Sequence, residues 1–262
     1  TMKRIYSTLF ERKNLLSSAG LCCTHSEEVE GAKLYSEFPN LFIVPNGIDV
    51  KKFDALPDRN TMETFYPQVK GKVVLFFMAR IHYKKGLDLL IKACSLLRKE
   101  SEDFHLIIAG EDEGGHLPEI HRLVDDLKLN SFVTFVGEVL KDKKELLMGG
   151  SDIFALTSRQ EGDSIAIKEA MASSLPILIS RQCHYPEFEK MGFAKVVTTD
   201  SADIKLALRG LMESAELRKE MGAKARNYVE KHVDRNIVNR DLVGVYEDII
   251  HSRKTSRAWL TS

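Results

Sequence analysis

Glu161 and Glu169 stand eight positions apart, with Gly162, Asp163, Ser164 and Ile165 between them and the helical pattern that follows. Ile153 to Leu156 is a short apolar run of strand type, and Ile165, Ile167, Ala170, Met171 and Ala172 outline a buried helix with Asp163 or Ser164 as its N-cap. Glu161 is thus expected in the loop and Glu169 inside the helix. A helix opening at residues 162–165 offers unpaired backbone N–H groups and the positive end of its dipole, which suit a phosphate. Glu161 can accept hydrogen bonds on one side of such an anion, and Glu169, one to two turns along, can take a diol on the other. A nucleotide sugar has this layout, with hydroxyls at both ends and phosphate between. An acidic side chain in a first helical turn is also ordinary dipole chemistry, so the spacing alone leaves both readings open.

Arg80 and Lys85 follow the apolar run Val73 to Met78. Basic side chains at the carboxyl end of a parallel strand face the ligand crevice, where a guanidinium and an ammonium can grip a diphosphate and stabilise leaving charge. Basic residues ahead of a helix are also commonly just solvated. Metal-ligand spacing is absent, with neither Asp-x-Asp nor His-Glu-x-x-His, so no catalytic metal and no cofactor are expected. No Gly-x-Gly-x-x-Gly follows a strand, which counts against a nicotinamide enzyme.

With their flanks, Glu161-Gly, Ile167-Lys-Glu169-Ala-Met-Ala and Leu175-Pro-Ile-Leu-Ile resemble the paired-glutamate signature of retaining glycosyltransferases with the GT-B fold. This is the group 1, or family 4, type of bacterial sugar transferase, which also includes sucrose synthase. The resemblance implies that Arg80 and Lys85 bind diphosphate and that Glu161 joins them in the catalytic set, with Glu169 on the ribose. Gly110 matches the family's Ala-Gly-Asp/Glu turn, and Gly137 lies in a Val-x-Phe-x-Gly segment beyond which main chain near Val139 would cradle the base. After Glu-Gly the family usually carries an aromatic or small apolar residue. Here Asp163-Ser164 stands instead, adding a carboxylate beside the expected phosphate.

The elements that must position these groups alternate in type. Strands at residues 73–78, 106–109, 133–136, 153–156, 176–179 and 195–197 are separated by helices at about 87–97, 117–127, 143–148 and from residue 165. That alternation predicts an α/β fold, a doubly wound, Rossmann-like parallel sheet with ligands at the carboxyl ends of its strands. A helical C-terminal segment follows, over 202–213, 215–232 and 237–251. Upstream, a helix from Met2 to Leu16, strands at 20–24 and 42–44 and a helix from Ser26 read as the remnant of a second domain. Four parts are expected: residues 1–50 as the tail of an N-terminal acceptor domain, 51–69 as a linker, 70–235 as the nucleotide-sugar-binding domain, and 236–262 as a crossover helix and tail. The resemblance places Tyr246, Ile249, Ile250 and Trp259 toward a partner.

Among 262 residues, 38 lysines and arginines balance 38 aspartates and glutamates, so no global field argues for nucleic acid. The four cysteines, Cys22, Cys23, Cys94 and Cys183, form no CxxC pair, which suits a reducing compartment. No secretory or membrane-spanning run is seen, and a cytoplasmic protein is expected, with peripheral association at the inner membrane face. The partners implied by the resemblance are a nucleotide sugar, an acceptor glycan or lipid-linked saccharide, and an N-terminal domain or partner subunit not contained in the sequence. The expected reaction is sugar transfer from a nucleoside diphosphate to an acceptor hydroxyl. The alternatives are a non-catalytic nucleotide-sugar-binding module and a GT-B-like epimerase.

Overall fold

A computed structural model describes residues 12–35 and 40–252. The start of the helix expected from Met2, and Trp259, lie outside the described residues. The chain divides into two units, one of Thr1–Gly47 with His232–Ser262, the other of Ile48–Lys231.

In the first unit, α1 (Arg12–Ser17), β1 (Leu21–Cys23), α2 (Ser26–Tyr35) and β2 (Leu41–Ile43) are joined by the last helix of the chain, running from Arg235 to Ser252. β1 and β2 pair in parallel, Leu21 opposite Leu41. Cys23, Val29, Val233 and Val238 are buried. The C-terminal helix therefore groups with the N-terminal strands rather than with the large sheet.

The second unit begins with the stretch expected to be a linker, and this expectation is corrected. Residues Val50–Phe53 form a 3-10 turn, Arg59–Phe65 form α3, and Pro67–Val69 form another 3-10 turn. Asp58 caps α3, accepting from the Thr61 N–H at 2.8 Å. Val50, Phe53, Met62 and Val69 are buried; α3 lies against the glycine pair Gly149-Gly150, which leaves room for Pro57 and Met62, and the Val50–Phe53 turn packs on the helix Ile165–Ala172. Burying four apolar side chains stabilises the stretch by several kcal/mol, at about 1.5–3 kcal/mol each, more than a tether needs.

After it come β3 (Val73–Met78), α4 (Leu87–Arg98), β4 (Phe104–Ala109), α5 (Leu117–Asp126), β5 (Val133–Gly137), α6 (Lys141–Gly150), β6 (Ile153–Leu156), α7 (Ile165–Ala172), β7 (Ile177–Ser180), α8 (Glu187–Lys190) and β8 (Ala194–Val197). Two helices close the unit, α9 (Ser201–Met212) and α10 (Ala215–His232); the C-terminal helix Arg235–Ser252 is α11. All six strands from β3 onward are parallel, in the order β5-β4-β3-β6-β7-β8. Each residue of β4, β6 and β7 is buried, as a sheet covered by helices on both faces requires. The order reverses between β3 and β6. The helices that follow those two strands therefore lie on opposite faces, which leaves a crevice at the carboxyl edge.

Candidate functional site

The loops at this switch point carry the motif residues. After β3 the chain makes a 3-10 turn, Tyr83–Lys85, which His82 caps by accepting the Lys84 N–H on Nδ1 at 3.0 Å. Gly86 follows with φ +65°, and a Cβ there would stand 2.0 Å from the Thr157 carbonyl oxygen. Only glycine allows both this left-handed turn and the approach of the β6 loop. Thr157 Oγ1 donates to the Gly86 carbonyl at 2.8 Å, and the Arg159 N–H donates to the Lys84 carbonyl at 2.7 Å.

Side chains complete the clamp. Arg159 donates to Asp88 through both terminal nitrogens, at 2.6 and 2.7 Å, with its guanidinium 4.1 Å from the Tyr83 ring centroid. Burial works against the Asp88 charge, but the paired guanidinium outweighs it and holds the carboxyl below its ordinary range.

Held in this way, Lys85 meets Glu161. Its ammonium donates to both carboxylate oxygens at 2.7 Å, and Ser158 Oγ donates to Oε2 at 3.0 Å. The two side chains are 15% and 9% exposed, so the pair is shielded without being sealed from the crevice. The Glu161 N–H in turn donates to the Gln182 carbonyl at 3.1 Å, tying this loop to the one after β7.

The helix the motif opens is α7. Ser164 takes the extended N-cap conformation with no side-chain capping bond, so the first-turn N–H groups are not capped by a side chain from this residue. Gly162 has nothing within 4 Å of where a Cβ would sit, and Ile165 is 42% exposed. Asp163 turns inward, pairing with Lys168 and accepting from the Tyr185 hydroxyl. The carboxylate expected beside the phosphate is therefore already matched to a cation.

Glu169 accepts from the Lys144 ammonium at 2.6 Å through Oε1. Arg80 pairs with Glu113 on the loop after β4 and is 57% exposed, so the structure does not join it to Lys85 and Glu161. Gly110, at φ +150°, would place a Cβ 1.9 Å from the Ala79 carbonyl oxygen, and its N–H donates to the Gly137 carbonyl at 2.8 Å. The ends of β3, β4 and β5 are thereby drawn together. Gly137 has φ +70° and is exposed, with Val139 half-buried beyond it.

Sequence reasoning missed Lys144, Arg159, Asp88 and the pairing of Asp163 with Lys168 and Tyr185. Among the described residues no group of three or more His, Cys, Asp or Glu could hold a metal ion, and no helix is long and apolar enough to cross a membrane.

A doubly wound parallel sheet with this motif at its switch point is the C-terminal domain of the GT-B class. The chain belongs to the family of glycosyl transferases group 1, whose sequence model matches residues 58–228. It is 26% identical over 214 residues to an uncharacterized glycosyltransferase, MJ1069, of Methanocaldococcus jannaschii, covering 80% of this chain and 53% of that one. To a GDP-mannose-dependent phosphatidylinositol monomannoside mannosyltransferase of Mycolicibacterium smegmatis it is 25% identical, covering 71% and 50%. The chain spans about half the length of these relatives. Among solved structures, sucrose-phosphate synthase of Thermosynechococcus elongatus superimposes with a TM-score of 0.80 at 16% identity, over 92% of this chain and 61% of that one. Anabaena HepE, solved in complex with UDP, gives 0.80 at 18% identity, over 92% and 69%.

Proposed function

We propose that this chain is the donor-binding part of a retaining glycosyltransferase that moves a sugar from a nucleoside diphosphate to an acceptor hydroxyl. The observation that carries the reading is the Lys85–Glu161 pair beside the opening of α7, on the two loops that meet at the switch point. The diphosphate would lie between the Lys85 ammonium and the first N–H groups of α7, with Arg80 exchanging Glu113 for a phosphate oxygen. Glu169 would take the ribose diol on the oxygen that Lys144 leaves open, and main chain at Gly137 to Val139 would meet the base. Glu161 would accept from a sugar hydroxyl once Lys85 turns to the phosphate.

In the step itself the bond from the anomeric carbon to the diphosphate oxygen breaks, and a bond to the acceptor oxygen forms on the same face. The acceptor proton passes to the leaving phosphate, so no protein nucleophile is needed. Lys85 and the helix opening stabilise the charge that develops on the diphosphate. The names of the relatives, one GDP-mannose-dependent and one crystallised with UDP, support a nucleotide-sugar donor.

Calorimetry of the 262-residue chain with UDP, GDP and ADP, followed by product analysis with the matching labelled nucleotide sugars, tests the proposal. Binding of at least one diphosphate is expected, and binding of none would overturn the reading. Because the chain spans about half the length of its relatives, the product analysis also separates transfer by this chain from binding that yields transfer only with a second domain or subunit.

A further inference from the structure

The Asp163 side chain is 1% exposed and that of Lys168, five residues on in α7, is 4% exposed. The Lys168 ammonium pairs with Asp163 Oδ2, while the Tyr185 hydroxyl from the loop after β7 donates to Oδ1. Tyr185 stacks on Phe188 with centroids 4.5 Å apart and planes 6° from parallel, and Phe188 meets Tyr228 of α10 edge-on at 5.3 Å. The carboxylate is therefore anchored from its own helix and from the β7 loop, and through the aromatic stack from α10. Burial lowers the Lys168 pKa, opposed by Asp163, and burial followed by the Asp163 charge raises that of the Tyr185 phenol.

Two features make this cluster more than packing. Asp163 lies between Glu161, which holds Lys85, and Ser164, the N-cap of α7, so fixing its side chain fixes the backbone of the turn between two pieces of the site. Its charge also sits at the mouth of a helix whose positive end would receive an anion, where an unmatched carboxylate would repel one. Lys168 cancels that charge from inside the helix.

We propose that Asp163, Lys168 and Tyr185 form a positioning network that sets the 161–165 turn for a nucleoside diphosphate and keeps the opening of α7 receptive to it. The network rests on the donor-site reading above, and all three are positioning residues that need not touch the ligand. Removing Lys168 alone takes the Lys168 cation away from a buried carboxylate at the opening of α7, whereas removing both charges leaves no charge there to match.

The test uses Lys168→Met, Tyr185→Phe and the double variant Asp163→Leu/Lys168→Met. Hydrogen exchange is followed at the amides of residues 161–166, and calorimetry measures UDP and GDP against uridine and guanosine. Lys168→Met is expected to speed exchange at these amides and to weaken the diphosphate about 10-fold or more, with nucleoside affinity within about twofold of the unaltered chain. The double variant, which removes the unmatched charge together with the anchor, should recover part of the diphosphate affinity and little of the exchange protection. Tyr185→Phe, which strands no charge, should give a smaller change of the same kind, about threefold, and serves if Lys168→Met does not fold. Unchanged exchange in the single variants, equal losses for diphosphate and nucleoside, or a double variant that binds the diphosphate no better than Lys168→Met would each overturn the network. If the unaltered chain binds none of UDP, GDP and ADP, the donor reading fails, and the exchange data still decide whether the network orders the turn.

Discussion

Replacing Lys85 by methionine keeps most of the side chain's length and removes the ammonium that both oxygens of Glu161 now hold. A charge-assisted hydrogen bond contributes about 1.5–3 kcal/mol, so Lys85→Met should weaken UDP or GDP binding roughly 10- to 100-fold. Arg80→Ala should cost less, since its guanidinium is exposed and must give up Glu113 before it serves a phosphate. Titration of both variants against the same nucleotide checks the order, and a larger loss at Arg80 would assign the main phosphate contact to the wrong cation. Glu169→Gln turns a charged acceptor into a neutral one and should weaken the same ligand by on the order of 1 kcal/mol. At this scale the sequence singled out Glu161, Glu169 and Lys85 because they sit in a dense local pattern. It carried no information on their partners. Lys144 reaches Glu169 across 25 positions, within an otherwise ordinary basic stretch.

Among the elements, the loops after β3 and β6 behave as one unit. Gly86 and Thr157 interlock their backbones, and Arg159 joins them through Asp88 and Tyr83. Arg159→Ala removes a bidentate pair whose partners are 21% and 15% exposed, a setting between surface pairs and fully buried ones. A loss of about 2 kcal/mol is expected in urea unfolding, together with weaker diphosphate binding as the Lys85 turn loosens. Arg159→Lys should recover little, because an ammonium can neither fork onto Asp88 nor stack on Tyr83 in the same way. Full recovery would show that charge alone holds the loops. The strands and most helices were legible from apolar runs and 3.6-residue spacing. The stretch from Val50 to Val69 was not: Pro57, Pro67 and its polar residues read as a linker, while its four buried apolar residues find their partners on α6 and elsewhere in the unit.

For the molecule as a whole, pH acts through a group far from the motif. His105 on β4 is 1% exposed, its Nε2 lies 2.8 Å from Thr134 Oγ1, and its Nδ1 is buried with no hydrogen-bond partner among the described residues. Burial, helped by the nearby Lys72 charge, lowers its pKa from 6.5 to about 4. The unfolded chain binds this proton at a higher pH than the folded one, so the folded state loses stability as pH falls below about 6.5, down to about 4. The full effect is on the order of 3 kcal/mol. Urea midpoints at pH 7 and 4.5 should fall further for the unaltered protein than for His105→Leu, and equal slopes would remove His105 from the account. The sequence by itself determined the alternation of strands and helices, the family, and the residues of the motif, because each is written in a local pattern of polarity, turn residues and spacing. Tertiary structure alone decided that Asp163 meets Tyr185 across 22 positions, that Arg159 closes onto Asp88 across 71 positions, and that the final helix joins the first strands. Those pairings depend on strand order and on which faces are buried, and a parallel sheet sets both through contacts between residues far apart in the chain.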